Sequence, residues 1–205
     1  MRKKLPFQFS FFLFFFLSIP GAVFSQTKTL DWDIQFFKEN SGESLPINRT
    51  ISMETGERFS LVITPHSDCY CYVFVYTSVQ EIYVWYNQDA GKDTPIPLKP
   101  LRLTDPSGTE TVYVIVSSSR QGELERLISL FKNNSSRQNT DNLYSEIARL
   151  QDAASSQGGP AVPIITNGST SREAGPVNSS SGDDKIITAK FSGKDLYVRA
   201  IGVRH

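Results

Sequence analysis

Apolar and polar positions alternate along this chain with two periods, and the switches between them divide it into elements. Leu30-Asp31-Trp32-Asp33-Ile34-Gln35-Phe36 alternates at period two, the pattern of a strand with one wet face. Gly42, Ser44 and Pro46 mark a loop. Glu57 to Thr64 then alternates again with Phe59, Leu61 and Ile63 on one face, until Pro65 stops the strand. Cys69-Tyr70-Cys71-Tyr72-Val73-Phe74-Val75-Tyr76 differs from both, because Cys69, Cys71, Val73 and Val75 make one apolar face and Tyr70, Tyr72, Phe74 and Tyr76 make another. Such a segment predicts a central strand covered on both sides. A turn over Ser78 to Glu81 leads into Ile82-Tyr83-Val84-Trp85-Tyr86, which predicts an antiparallel hairpin. Asn87 to Pro100 reads as a polar loop, and Thr111 to Ser117 as a further buried strand.

The period then changes. Leu124, Leu127, Ile128 and Phe131 recur at i, i+3, i+4 and i+7, with Glu123, Glu125 and Arg126 outward, which predicts an amphipathic helix packed on the sheet. Leu143, Ile147 and Leu150, preceded by Thr140 and Asp141 as candidate caps, predict a short helix within 134–150. Residues 151–184 hold 19 Gly, Ser, Pro, Asn or Thr in 34 positions and no aromatic, so a disordered linker is expected there, with a reach on the order of 32 Å. Within 185–205, Lys185 to Phe191 and Leu196 to Val203 flank a Ser192-Gly193-Lys194-Asp195 turn and read as a C-terminal hairpin. Two strands alone are marginal in water, so this pair must add to a sheet. The expected fold class is α+β: a mostly antiparallel sheet or sandwich, one packed amphipathic helix, and the C-terminal hairpin returning to the sheet.

The N-terminal residues add a destination. Met1 to Lys4 is basic, Phe7 to Ile19 is apolar but for Gln8, Ser10 and Ser18, and Pro20-Gly21 precedes Val23-Phe24-Ser25. This is the layout of a signal peptide over residues 1–25, with the mature chain starting at Gln26 and a β-rich domain over 26–133. A retained span needs about 20 apolar residues, more than this stretch supplies. Export to the periplasm or cell envelope, or secretion, is therefore expected, with no stable membrane span after cleavage. Without Arg2, Lys3 and Lys4 the chain carries 18 basic against 21 acidic side chains, about −3, a balance that does not favour nucleic acid.

Three motifs carry a resemblance. Gly56-Glu57-x-Phe59-x-Leu61-x-Ile63, followed by Cys69-Tyr70-Cys71-Tyr72-Val73-Phe74 and by Leu103-Thr104-Asp105-Pro106-x-Gly108-Thr109-Glu110-Thr111, resembles the bacterial domain-of-unknown-function family 4384 over roughly residues 50–130. The resemblance implies a module of exported bacterial proteins, or one fused beside signalling and protease domains, with no chemistry assigned to it. Cys69 and Cys71 depart from the family pattern, as does Trp85-Tyr86-Asn87 at the end of the second hairpin strand.

Candidate chemistry is sparse. Cys69 and Cys71 lie two apart on one strand, with side chains roughly 6.6 Å apart, too far for a disulfide and badly placed to share one zinc ion. No metal or other cofactor is expected. A thiol nucleophile at Cys69 or Cys71 would need a base, and His66 is the one nearby; a thiol directed into a valine-rich core has its pKa raised, the wrong direction for reactivity. The aromatic positions Tyr70, Tyr72, Phe74, Tyr76, Tyr83 and Trp85 are either a platform for sugar or peptide or, more commonly, core beneath the helix bearing Leu124 and Phe131. The expectation is a non-enzymatic binding or assembly module of the bacterial cell envelope that engages an envelope protein through a sheet edge or the C-terminal hairpin. The alternative is a thiol-dependent redox or hydrolytic enzyme centred on Cys69, Cys71 and His66.

Overall fold

The computed structural model describes residues 29–47, 49–156, 164–167 and 187–205; the expected signal peptide and cleavage site and most of the expected linker lie outside them. The elements in chain order are β1 (Thr29–Lys38), β2 (Ile51–Ser52), β3 (Arg58–Pro65), β4 (Cys69–Tyr76), β5 (Ile82–Ala90), β6 (Ile96–Pro97), β7 (Leu101–Arg102), β8 (Thr109–Ser117), α1 (Gly122–Asn133), α2 (Arg137–Ser156), β9 (Ile164–Asn167), β10 (Ile187–Lys194) and β11 (Leu196–Arg204). They form a sandwich. One sheet has the order β6-β3-β1-β10-β9 with β7 also on β3, and the other has the order β2-β11-β8-β4-β5. All pairings are antiparallel except that of β2 with β11.

Period-two alternation explains the inner layer. Leu30, Trp32, Ile34 and Phe36 of β1 and Phe59, Leu61 and Ile63 of β3 face Cys71, Val73, Val75, Val112, Val114 and Val116 across the gap between the sheets. The other face of the second sheet is equally dry. Tyr72 and Phe74 of β4 with Tyr113 and Ile115 of β8 lie under Leu124, Leu127 and Ile128 of α1 and Leu143, Ile147 and Leu150 of α2. At about 25 cal/mol per Å² of apolar area, covering this face contributes roughly 1.5–3 kcal/mol per large side chain. The stripe at Leu124 predicts α1 correctly, and the stripe at Leu143 marks a second helix that is also docked. α2 starts earlier and ends later than its pattern suggests: Ser136 Oγ accepts from Asn139 N at 3.4 Å, so the cap is Ser136, with Thr140 and Asp141 inside the helix.

Tyr72 joins the sheet to α1. The residue preceding the helix, Gln121, provides no side-chain cap; instead the Tyr72 hydroxyl accepts from Gln121 N at 3.1 Å and donates to Glu125 Oε1 at 2.9 Å. Burial pushes the phenol pKa up.

The last strands return to the body of the protein, and each takes a different sheet. β10 lies between β1 and β9, while β11 lies between β8 and β2. The turn at Asp195, with φ of 52°, thus carries the chain from one sheet to the other rather than folding a strand back on its neighbour. Trp32 seals the crossover, with its ring 5.9 Å from Phe191 and 4.4 Å from Tyr197. Two parts of the expected linker are regular: α2 continues to Ser156, and Ile164–Asn167 pairs with β10 as β9. Likewise β5 runs through Asn87 to Ala90, residues whose polarity reads as loop; they tolerate water because β5 is an outer strand.

Because β10 and β11 are interior strands, deleting residues 187–205 should abolish cooperative unfolding and leave an aggregating chain, seen by thermal circular dichroism and light scattering. Tyr72→Phe should fold normally but lose about 1–3 kcal/mol in urea denaturation, since Tyr72 is only 1% exposed and its removal strands the Gln121 N–H.

Candidate functional site

The structure separates the residues singled out in the sequence. Tyr72 and Phe74 are core beneath the helices, with Tyr70 and Tyr76 half-buried at the margins of that layer. Tyr83 and Trp85 do not continue the stripe. The β4–β5 register pairs Val75 with Tyr83, so Tyr83 shares the inter-sheet face, and a bulge between Val73 and Phe74 displaces Trp85. Trp85 packs instead on Phe59, with ring centres 5.6 Å apart, and donates Nε1–H to Lys99 O at 2.9 Å. Tyr83 is left 51% exposed.

Cys69 and Cys71 are buried on the inter-sheet face without a disulfide, and burial pushes the Cys71 thiol far up, away from the thiolate. His66 is engaged elsewhere. Its Nδ1 lies 2.9 Å from Asp93 Oδ1 and its Nε2 lies 3.1 Å from Asp33 Oδ2, so the ring clamps β1 to the loop after β5. The two carboxylates, Asp93 first, raise its pKa against a smaller opposing effect of burial. The thiols and the imidazole therefore do not form a nucleophile and its base. Among the described residues no group of three or more His, Cys, Asp or Glu could hold a metal ion, and no helix is long and apolar enough to cross a membrane.

What the fold does assemble is a cavity of about 250 Å³ at one end of the sandwich, between the β4–β5 turn and the segment entering β8. Phe59, Val75, Leu101 and Tyr83 give it an apolar wall, and Glu81, Arg102, Asp105 and Glu110 give it charge. The turn is fixed by Thr77, whose backbone N donates to Glu81 O at 2.9 Å and whose Oγ1 accepts from Glu81 N at 3.0 Å. Opposite it, a side chain at Gly108 is impossible without rearrangement, since a Cβ there would stand 2.4 Å from Ser78 Cβ. Gly56, bonded to the cavity-lining Leu103, has φ of 94° and donates to Leu103 O at 2.9 Å. Both glycines belong to the motifs that carry the sequence resemblance, and each is required by this end of the sandwich.

Glu110 is the centre of the arrangement. It points inward with Val112, Val114 and Val116, and is only 8% exposed. Its Oε1 accepts from Ser78 Oγ at 3.1 Å and lies 3.3 Å from His205 Nε2. The His205 side chain is fully buried, its Nδ1 is 3.2 Å from Thr55 Oγ1, and its backbone exchanges two hydrogen bonds with Gly108. A carboxylate has acceptors only, so with Glu110 ionised the imidazole donates from Nε2. The acid lies between serine and histidine, so the imidazole is not placed to take the serine proton as a Ser-His-acid triad requires. Glu110 Oε2, by contrast, is buried with no hydrogen-bond partner.

Sequence reasoning named neither Ser78 nor Glu110 as a site residue. The available signal was Glu110, an acid at an inward position of an otherwise valine-lined strand. No family model, curated protein or solved structure matches the chain.

The His66 clamp makes a prediction with a definite sign. Its folded pKa is raised above the unfolded value of about 6.5, so its stabilisation is complete below that pH and is lost as pH rises through the folded value. The urea midpoint should fall over that window in the native protein and stay flat in His66→Gln, with a modest amplitude because the ring is 39% exposed.

Proposed function

We propose that this chain is a non-enzymatic binding module of the bacterial cell envelope, exported by way of its N-terminal apolar segment, and that it holds its ligand in the cavity beside Glu110. The observation that carries the reading is the cavity itself, in which an apolar wall of Phe59, Val75, Leu101 and Tyr83 meets the charged side chains of Glu81, Arg102, Asp105 and Glu110. A concave site with an apolar wall and a few charged groups held in fixed places is the ordinary form of a ligand site. Tyr83 and Val79, 51% and 47% exposed, stand on its rim as large apolar surface that a monomer gains nothing by showing.

The N-terminal apolar segment and the resemblance of residues 50–130 to an exported bacterial module support the location in this reading. The position of the last two strands redirects the expected contact: β10 and β11 each have neighbours on both sides, so neither offers an edge, whereas β5 is the outer strand beside the cavity.

The test is site-specific photocrosslinking in the bacterium of origin. A benzophenone side chain at Tyr83 should give a discrete envelope adduct, and one at Leu130, exposed on α1 away from the cavity, should not. The adduct should disappear when Thr104→Trp obstructs the cavity mouth. Identical adducts from both positions, or persistence with Thr104→Trp, would remove the cavity from the function.

A further inference from the structure

We infer that His66 is a proton-operated latch on the loop of residues 91–95: doubly protonated, it ties that loop to β1, and on losing one proton it keeps Asp33, lets go of Asp93 and frees the loop. The latch is independent of the cavity and lies at the opposite end of the β4–β5 hairpin. Here the chain crosses between the sheets twice, from β3 to β4 through residues 66–68 and back from β5 to β6 through residues 91–95. All five residues of the second crossing are exposed, so no buried side chain anchors it. It is held instead by Lys92 N donating to Asp68 Oδ1 at 2.9 Å, by Asp93 N donating to Pro65 O at 2.7 Å, and by the Asp93 carboxylate 2.9 Å from the His66 ring. Asp93 also holds φ of 54°, a conformation uncommon for a residue with a side chain.

The geometry itself fixes the protonation state. Nδ1 faces Asp93 Oδ1 and Nε2 faces Asp33 Oδ2, and an ionised carboxylate only accepts, so both nitrogens carry protons. Loss of either proton sets a nitrogen lone pair against a carboxylate. Which bond fails follows from solvation: the Asp33 side chain is 19% exposed and its Oδ1 is buried with no hydrogen-bond partner, whereas the Asp93 side chain is 60% exposed. Water replaces a lost N–H at Asp93 far more readily than at Asp33. The other charged residues at this end are Asp31 on β1, whose carbonyl accepts from His66 N at 2.7 Å, Asp68 and Lys92, joined as above, and Lys190, opposite Asp33 in the β1–β10 register. None of them bonds Asp33 Oδ1. The two carboxylates, Asp93 first, raise the pKa of His66 above its ordinary value, so the latch is closed in acid and opens as pH rises through the folded value. Cys69 and Ala90, paired and buried where the two crossings begin, are the part of the inter-sheet core that the opening reaches.

The test follows the mature full chain, 15N-labelled, by NMR through the His66 titration. Ring 15N shifts should show both nitrogens protonated at the acid end and the remaining proton on Nε2 at the alkaline end. Amide-exchange protection at Lys92 and Asp93, corrected for the intrinsic effect of pH, should fall on the order of tenfold over the same range, while that at Val73 and Ile115 holds. Asp93→Asn, whose amide can accept from Nδ1 or donate to it, should remove the step. His66→Ala should show the alkaline-end protection at every pH, and Asp93→Asn, at an exposed loop position, serves alone should His66→Ala not fold. A proton retained on Nδ1 would mean that β1 and not the loop is released, and would overturn the latch. An equal fall at Val73 and Ile115 would make the transition global and overturn it too. So would unchanged protection at Lys92 and Asp93, or a step that persists in Asp93→Asn.

Discussion

The constraint on which the rest of the structure depends is that β4 and β8, side by side in the second sheet, are apolar on both faces. Cys71, Val73, Val75, Val112, Val114 and Val116 on one side and Tyr72, Phe74, Tyr113 and Ile115 on the other are all buried. A lone antiparallel sheet can leave one face wet; this one cannot. The first sheet covers the valine side and the two helices cover the aromatic side, so three layers follow from two strands. The tyrosines add the polar join, since Tyr72 reaches through its layer to hold the first turn of α1.

The same constraint explains why the cavity sits where it does. Toward the end of β8 near Thr109 the inward row runs out of valine and meets Glu110, and the close approach of Gly108 to Ser78 keeps the β4–β5 turn against it. Polar groups there bond one another, from Ser78 through Glu110 and His205 out to Thr55 at the surface. The interior thus changes from hydrocarbon to a hydrogen-bonded cluster within one residue pair, and Oε2 of Glu110 is what that cluster leaves over.

Much of this was legible in the sequence. The double apolar face of residues 69–76 announces an interior strand, and the stripe at Leu124, Leu127, Ile128 and Phe131 announces the helix over it, because periodicity reports burial directly. Register across a hairpin is another matter: the turn pairs Tyr83 with Val75, so Tyr83 and, two residues on, Trp85 fall on the inter-sheet face, and no local pattern marks it. Ile164 and Ile165 are too brief an apolar run among glycine, serine and proline to reveal β9. The tail's turn was visible, but not that its strands take separate sheets, since each partner lies far away in sequence. Distance hides the site as well. Glu110 stands out by its parity, whereas His205 reaches it because β11 pairs with β8 up to Arg204 and Thr109.

The crossover at Asp195 also has a consequence in time. Each sheet contains a strand from the last residues of the chain as an interior member, flanked on both sides. A polypeptide emerging in order, from a ribosome or through a narrow pore, therefore lacks the first layer's interior strand until Ile187–Lys194 has come out and the second layer's until Leu196–Arg204 has. Hairpins such as β4–β5 can form early, being local, but the sandwich closes late, after loops of more than a hundred residues between β1 and β10 have been brought together. Until that moment the chain stays open enough to be threaded, and closure is postponed to whichever side its final strands reach.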